Sequence, residues 1–130
     1  MRRVVVTGMG TVNPIGNSIN ELDAALREGR PGGALITSFD TSESPVKIGC
    51  EVKGFDVETV MEKKAARRTS RFIHLAVGAG HEAVASSGLD IRAEGDRVGA
   101  SIASGIGGMD MQLLAHEHYL EKGKIGRAHV

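Results

Sequence analysis

Four sets of residues in this chain could do chemistry, beginning with two glycine-bearing turns. The first is Gly8-Met9-Gly10, directly after the apolar run Val4 to Thr7. The dinucleotide fingerprint puts G-x-G-x-x-G in such a place, with its amides cradling phosphate. Here Asn13 stands in the third glycine position and Gly16 comes three residues later. Pro14 also removes an amide donor from the turn. The departures favour a structural turn over a nucleotide site. The second turn, Ser104 to Asp110 (SGIGGMD), lacks the Gly-Lys-Ser or Gly-Lys-Thr of a phosphate loop. Its glycines allow close backbone approach and present Ile106 at the tip of a strand, where α/β folds meet their ligands.

The other sets are a cysteine, the histidines and a run of cations. Cys50 has no histidine near it in sequence and no helix start after it, which describes an inert small thiol. The five histidines are His74, His81, His116, His118 and His129. None forms the H-E-x-x-H pattern, and His116 and His118 point to different faces of a helix, so no metal centre is expected. The run EKKAARRTSR sets Lys63, Lys64, Arg67, Arg68 and Arg71 against Glu62. On one helix, Lys64, Arg67, Arg68 and Arg71 would form a single positive stripe. The chain carries 16 basic and 16 acidic residues, so this stripe is local rather than part of a global field. Aromatic residues make up 3% of the chain. Without stacking platforms, the stripe suits an acidic protein or a phosphate group better than nucleic acid.

The elements that must position these residues read as α/β. Val4 to Thr7 has the continuous β-branched character of a strand buried on both faces. Asn17 or Ser18 caps a helix with apolar positions Ile19, Leu22, Ala25 and Leu26, closed by Gly29. Residues 31–57 are irregular, with short extended pieces such as VKIGCEV. MEKKAARRTSRF reads as helix, followed by or bending into a helix over 70–86 that Gly88 ends. Gly78 and Gly80 lie inside it at a helix-propensity cost of about 1 kcal/mol each, which predicts very close packing of another backbone there. Residues 97–103 (RVGASIA) read as a second strand, and residues 111–122 as a last helix. Two strands leave unpaired edges, so the pattern belongs to something larger. No signal-peptide core or membrane-length run is present, and one cysteine excludes an internal disulfide framework; both fit a cytoplasmic protein.

Four stretches in order, RRVVVTGMGTVNPIGN, FDTSESPVKIGCEVKGFD, KKAARRTSRFI and RVGASIASGIGGMD, resemble the amino-terminal part of the β-ketoacyl-acyl carrier protein synthases. The resemblance is greatest to the type II synthases of fatty acid elongation, with the ketosynthases of aromatic polyketide assembly as the alternative. It covers residues 1–124 and implies an incomplete N-terminal half of a thiolase-like layered αβαβα fold, homodimeric in the complete enzyme. It implies a decarboxylative Claisen condensation of acyl chains with malonyl-carrier, needing no cofactor. The family's nucleophilic cysteine and paired histidines match nothing here, so no residue of this chain inherits a catalytic role. Binding roles do carry over. Lys64, Arg67 and Arg68 match the surface that meets the acidic acyl carrier protein with its phosphopantetheine-linked chain. Ile106 matches an apolar gate of the acyl pocket.

The last six residues, IGRAHV (125–130), are what ATC GGA AGA GCA CAC GTC encodes, a run matching a common sequencing adapter. They are expected to be a non-native read-through on a truncated gene, which the downstream genomic sequence would decide.

Overall fold

The computed structural model of the chain describes residues 3–123; the segment 125–130 lies outside them. Helix α1 (Ile19–Glu28) begins and ends where the capping residues demand. Ser18 Oγ accepts from the Glu21 amide at 3.2 Å, and the Glu21 carboxylate accepts from the Asn17 amide at 2.7 Å. These bonds satisfy amides that a bare helix start leaves unpaired. Gly29, at φ 65°, closes the helix with a left-handed residue. Ala25, on the inner face, is fully buried.

The irregular stretch folds back on itself. Strand β1 (Ala34–Leu35) pairs antiparallel with β2 (Ile48–Gly49), Ala34 opposite Gly49 and Leu35 opposite Ile48. The Glu51 carboxylate ties the end of this ribbon by accepting from the Thr37 amide and hydroxyl and from the Ser38 amide, at 2.8–3.1 Å. These bonds, from Ser38 first and Thr37 second, draw its carboxyl down to about 2. A 3₁₀ turn, Val57–Thr59, leads to α2 (Lys63–Ala66).

Helix α3 (Arg71–Ser87) is the element on which the amino-terminal segment packs. A β-carbon added at Gly8 would collide with the Ala83 carbonyl, and one added at Gly10 with the Ala79 carbonyl and the Ala83 amide. The first glycine turn therefore exists so that backbone can lie on helix backbone. Its space is filled by α3, so it is not a phosphate cradle. Gly78 meets close packing, though by side chains and not by the other backbone expected: an added β-carbon would stand 2.5 Å from the Phe55 ring and 3.1 Å from Val12. Gly80 does not, since its surroundings are open.

Glu82, also on α3, locks the contact. One carboxylate oxygen accepts from the Thr11 amide at 2.9 Å and the other from the Ile19 amide at 2.8 Å. It thereby places negative charge at the amino end of α1. Between these anchors, Asn13 and Gly16 exchange backbone hydrogen bonds around Pro14. The Asn13 side chain accepts from the Ile15 amide at 2.9 Å.

Both expected central strands differ from the sequence reading. Residues 4–7 and 98–103 run without regular ladder pairing. Val4, Val5 and Val6 are 97%, 72% and 81% exposed, and Ile102 is 67% exposed. A strand is stabilised by neighbours on both edges and both faces. Among the described residues no third or fourth strand supplies them.

The chain continues through α4 (Ile91–Glu94), capped by Asp90, and a 3₁₀ turn, Gly95–Arg97. It ends in α5 (Met109–Lys122), close to the last helix expected from sequence. The accessible surface is 10712 Å². A folded monomer of this mass exposes roughly 6,600 Å². The excess is consistent with apolar faces shaped to be covered by further structure. No helix among the described residues is long and apolar enough to cross a membrane.

Candidate functional site

The cationic segment does not form one helix. Helix α2 stops after Ala66, with Arg67 as its C-cap and Ser70 in extended conformation before α3. The last turn tightens to i→i+3 bonds: the Arg68 amide donates to the Ala65 carbonyl (3.0 Å) and the Thr69 amide to the Ala66 carbonyl (3.3 Å). Side chains hold the break. Thr69 Oγ1 donates to the Ala65 carbonyl at 3.0 Å, and His74 Nε2, as a donor, reaches the Ala66 carbonyl at 2.9 Å. The continuous stripe through Arg71 is thus corrected: side-chain bonding to these carbonyls ends the helix too early.

The break sorts the cations. Lys63 is paired with Glu58 at 3.1 Å. The Arg71 guanidinium stands 5.5 Å over the Phe55 ring, a cation–π contact on the far side of the bend. Lys64, Arg67 and Arg68 remain exposed and have no ion-pair partner among the described residues. These three are the residues singled out from the sequence. They sit on α2, at its C-cap and in the following turn.

Ile106 lies in the Ser104–Gly108 turn and is 80% exposed. The turn rests on α3: a β-carbon at Gly107 would come within 2.8 Å of the Phe72 ring. Asp110, the second residue of α5, accepts a hydrogen bond from Ser70 Oγ at the start of α3. That hydroxyl, and then the Met111 amide, hold the Asp110 carboxyl below its ordinary value. The basic segment and the Ile106 turn therefore meet at one place, the first turn of α3.

Cys50 is exposed. Among the described residues, no group of three or more His, Cys, Asp or Glu side chains is arranged to hold a metal ion. His116 and His118 are exposed on α5, and His74 is committed to the α2–α3 break. Four polar residues were not singled out from sequence. For Glu82 the signal was an acid in an otherwise apolar helix, one turn after a glycine. Glu51 and the Ser70–Asp110 pair had no such mark, since their partners are 13 and 40 positions away.

Residues 1–128 match the N-terminal domain of the β-ketoacyl synthases. The chain belongs to the β-ketoacyl synthase family. It is 42% identical over 123 residues to 3-oxoacyl-[acyl-carrier-protein] synthase 2 of Vibrio cholerae serotype O1, a match covering 94% of this chain and 30% of that protein. In three dimensions it is similar to the ishigamide ketosynthase/chain length factor, with a TM-score of 0.76, 30% identity and coverage of 95% of this chain and 31% of that one. It is likewise similar to a β-ketoacyl synthase from Burkholderia phymatum STM815, with a TM-score of 0.71, 28% identity and coverage of 98% and 32%. The chain thus spans about a third of the length of these ketosynthases. Its fold is similar to part of these thiolase-like ketosynthases.

Proposed function

We propose that this chain is the N-terminal part of a 3-oxoacyl-[acyl-carrier-protein] synthase and supplies its carrier-docking surface and one wall of its acyl pocket. The observation that carries the reading is the sorting of cations. Of the five on the basic run, Lys63 is paired internally and Arg71 is turned onto an aromatic ring. Lys64, Arg67 and Arg68 are exposed with no ion-pair partner among the described residues, on α2, at its C-cap and in the turn after it. Three exposed charges so placed attract an acidic partner over about a Debye length, roughly 8–10 Å at physiological salt. The acyl carrier protein is that partner. Its phosphopantetheine arm would deliver an acyl chain toward Ile106, whose exposed side chain gives an apolar surface for it.

In the complete enzyme a cysteine thiolate takes the acyl group and releases the carrier thiol. Malonyl-carrier then loses carbon dioxide, two histidines stabilise the enolate, and its carbon attacks the acyl thioester, breaking the C–S bond so that the cysteine thiolate leaves and the 3-oxoacyl chain stays on the carrier. None of these three groups corresponds to Cys50 or to a histidine here. The complete enzyme is a cytoplasmic homodimer, and fatty acid elongation is its pathway. A polyketide role is the second reading, favoured by the similarity to the ishigamide ketosynthase/chain length factor.

The test is a binding titration with acyl carrier proteins of both pathways. Wild-type chain is expected to bind the fatty acid carrier, and Arg67→Glu with Arg68→Glu to abolish binding. Unchanged binding in the double variant would refute the docking surface, and preference for the polyketide carrier would favour the second reading. Purified chain is expected to show no elongation activity.

A further inference from the structure

Ser70 stands at the N-cap of α3, yet its side chain caps nothing on its own helix. It is 5% exposed, and its hydroxyl is given to Asp110 on α5. The Asp110 carboxylate also faces main-chain amides of its own helix and that of Arg71 on α3. One negative group therefore lies at the positive ends of two helices, of 17 and 14 residues. A second contact stands independently of the first. The Phe72 ring covers Gly107, where a β-carbon would also meet Ser104 Oγ at 2.6 Å. Together they pin the turn bearing Ile106 to a helical turn that starts three residues after Arg68.

We propose that Ser70 and Asp110 are positioning residues that couple the cationic break to the Ile106 turn. This rests on the carrier-docking reading. A partner seated on Lys64, Arg67 and Arg68 bears on residues 67–70 and so on the hydroxyl that Ser70 gives to Asp110. The hydroxyl fixes Asp110, and Asp110 fixes the start of α5 and the turn before it. Docking and entry of the acyl chain past Ile106 become one event. Because coupling between two sites is reciprocal, an acyl chain against Ile106 must tighten the grip on the carrier by the same factor. The expected signature is a preference for acylated over unacylated carrier that the hydroxyl–carboxylate bond controls.

The experiment measures affinity of the 130-residue chain for phosphopantetheinyl carrier with and without an acyl chain. Wild type is expected to prefer the acylated form several-fold. Ser70→Ala and Asp110→Ala should lose that preference while keeping the unacylated affinity, and Ser70→Thr should retain it. A preference unchanged in both alanine variants overturns the proposal. Asp110→Leu, which has no acceptor for the Ser70 hydroxyl, replaces Asp110→Ala should the latter unfold. Wild type binding neither form would defeat the docking reading itself, and coupling is then judged by amide hydrogen exchange in the free chain. There, each alanine variant should speed exchange in both 71–74 and 104–112, and the pair together no more than either alone. Acceleration confined to the mutated helix would overturn the coupling.

Discussion

The segment 8–29 and the segments 4–7 and 98–103 were equally clear in the sequence, yet only the first is fully secured in the structure. Segment 8–29 lies on α3 with glycines at the contact and Glu82 holding two of its amides. The other two are β-branched, apolar and extended, but exposed and without regular ladder pairing. A helix satisfies its backbone within its own residues and needs one covered face. A strand needs other strands, so its pattern can be complete where its hydrogen bonds are not.

That contrast can be broken most severely at Gly10. Gly10→Ala drives a methyl group into α3 backbone and should cost about 3 kcal/mol, read by urea unfolding with circular dichroism. A near-neutral result would mean that the amino-terminal segment does not lie on α3. Glu82→Gln keeps the shape but turns one acceptor oxygen into an NH2 donor facing an amide, so one anchoring bond is lost, with an expected loss of roughly 1–3 kcal/mol in the same assay. Retention of full stability would move the anchor elsewhere.

A gentler probe is pH. The Glu51 carboxyl lies at about 2 in the folded chain, below its ordinary value of 4.5. Its contribution is therefore complete above 4.5 and is lost as pH falls toward about 2. A carboxyl titration by NMR should give a Glu51 midpoint of about 2. A midpoint near 4.5 would show that the Thr37–Ser38 cradle is not formed. The smallest effect is expected at Val5, which is 72% exposed. Val5→Lys should change stability by no more than about 0.5 kcal/mol, whereas a larger loss would reveal a buried strand.

Much of the scaffold was legible in the residues. Ser18 and Gly29 marked the ends of α1, and Gly88 marked the end of α3. A second helix or a bend from Ser70 was legible, but the end of α2 at Ala66 was not, because helix propensity favours continuing through KKAARR. What ends the helix is Thr69 and His74 bonding to carbonyls, with His74 reaching back eight residues. The three exposed cations were named from sequence, but the reason they alone stay unpaired lies in Glu58 and Phe55. Gly78 and Gly80 looked alike in sequence, and only the position of Phe55 separates them.

The most direct measurement is chemical-shift mapping of the isotope-labelled chain titrated with acyl carrier protein. Perturbations are expected to begin at 63–70, to extend to 104–110 when the carrier is acylated, and to weaken as salt is raised. Binding centred elsewhere, or no binding at low salt, would contradict the claim that this break is the carrier-docking surface of a ketosynthase.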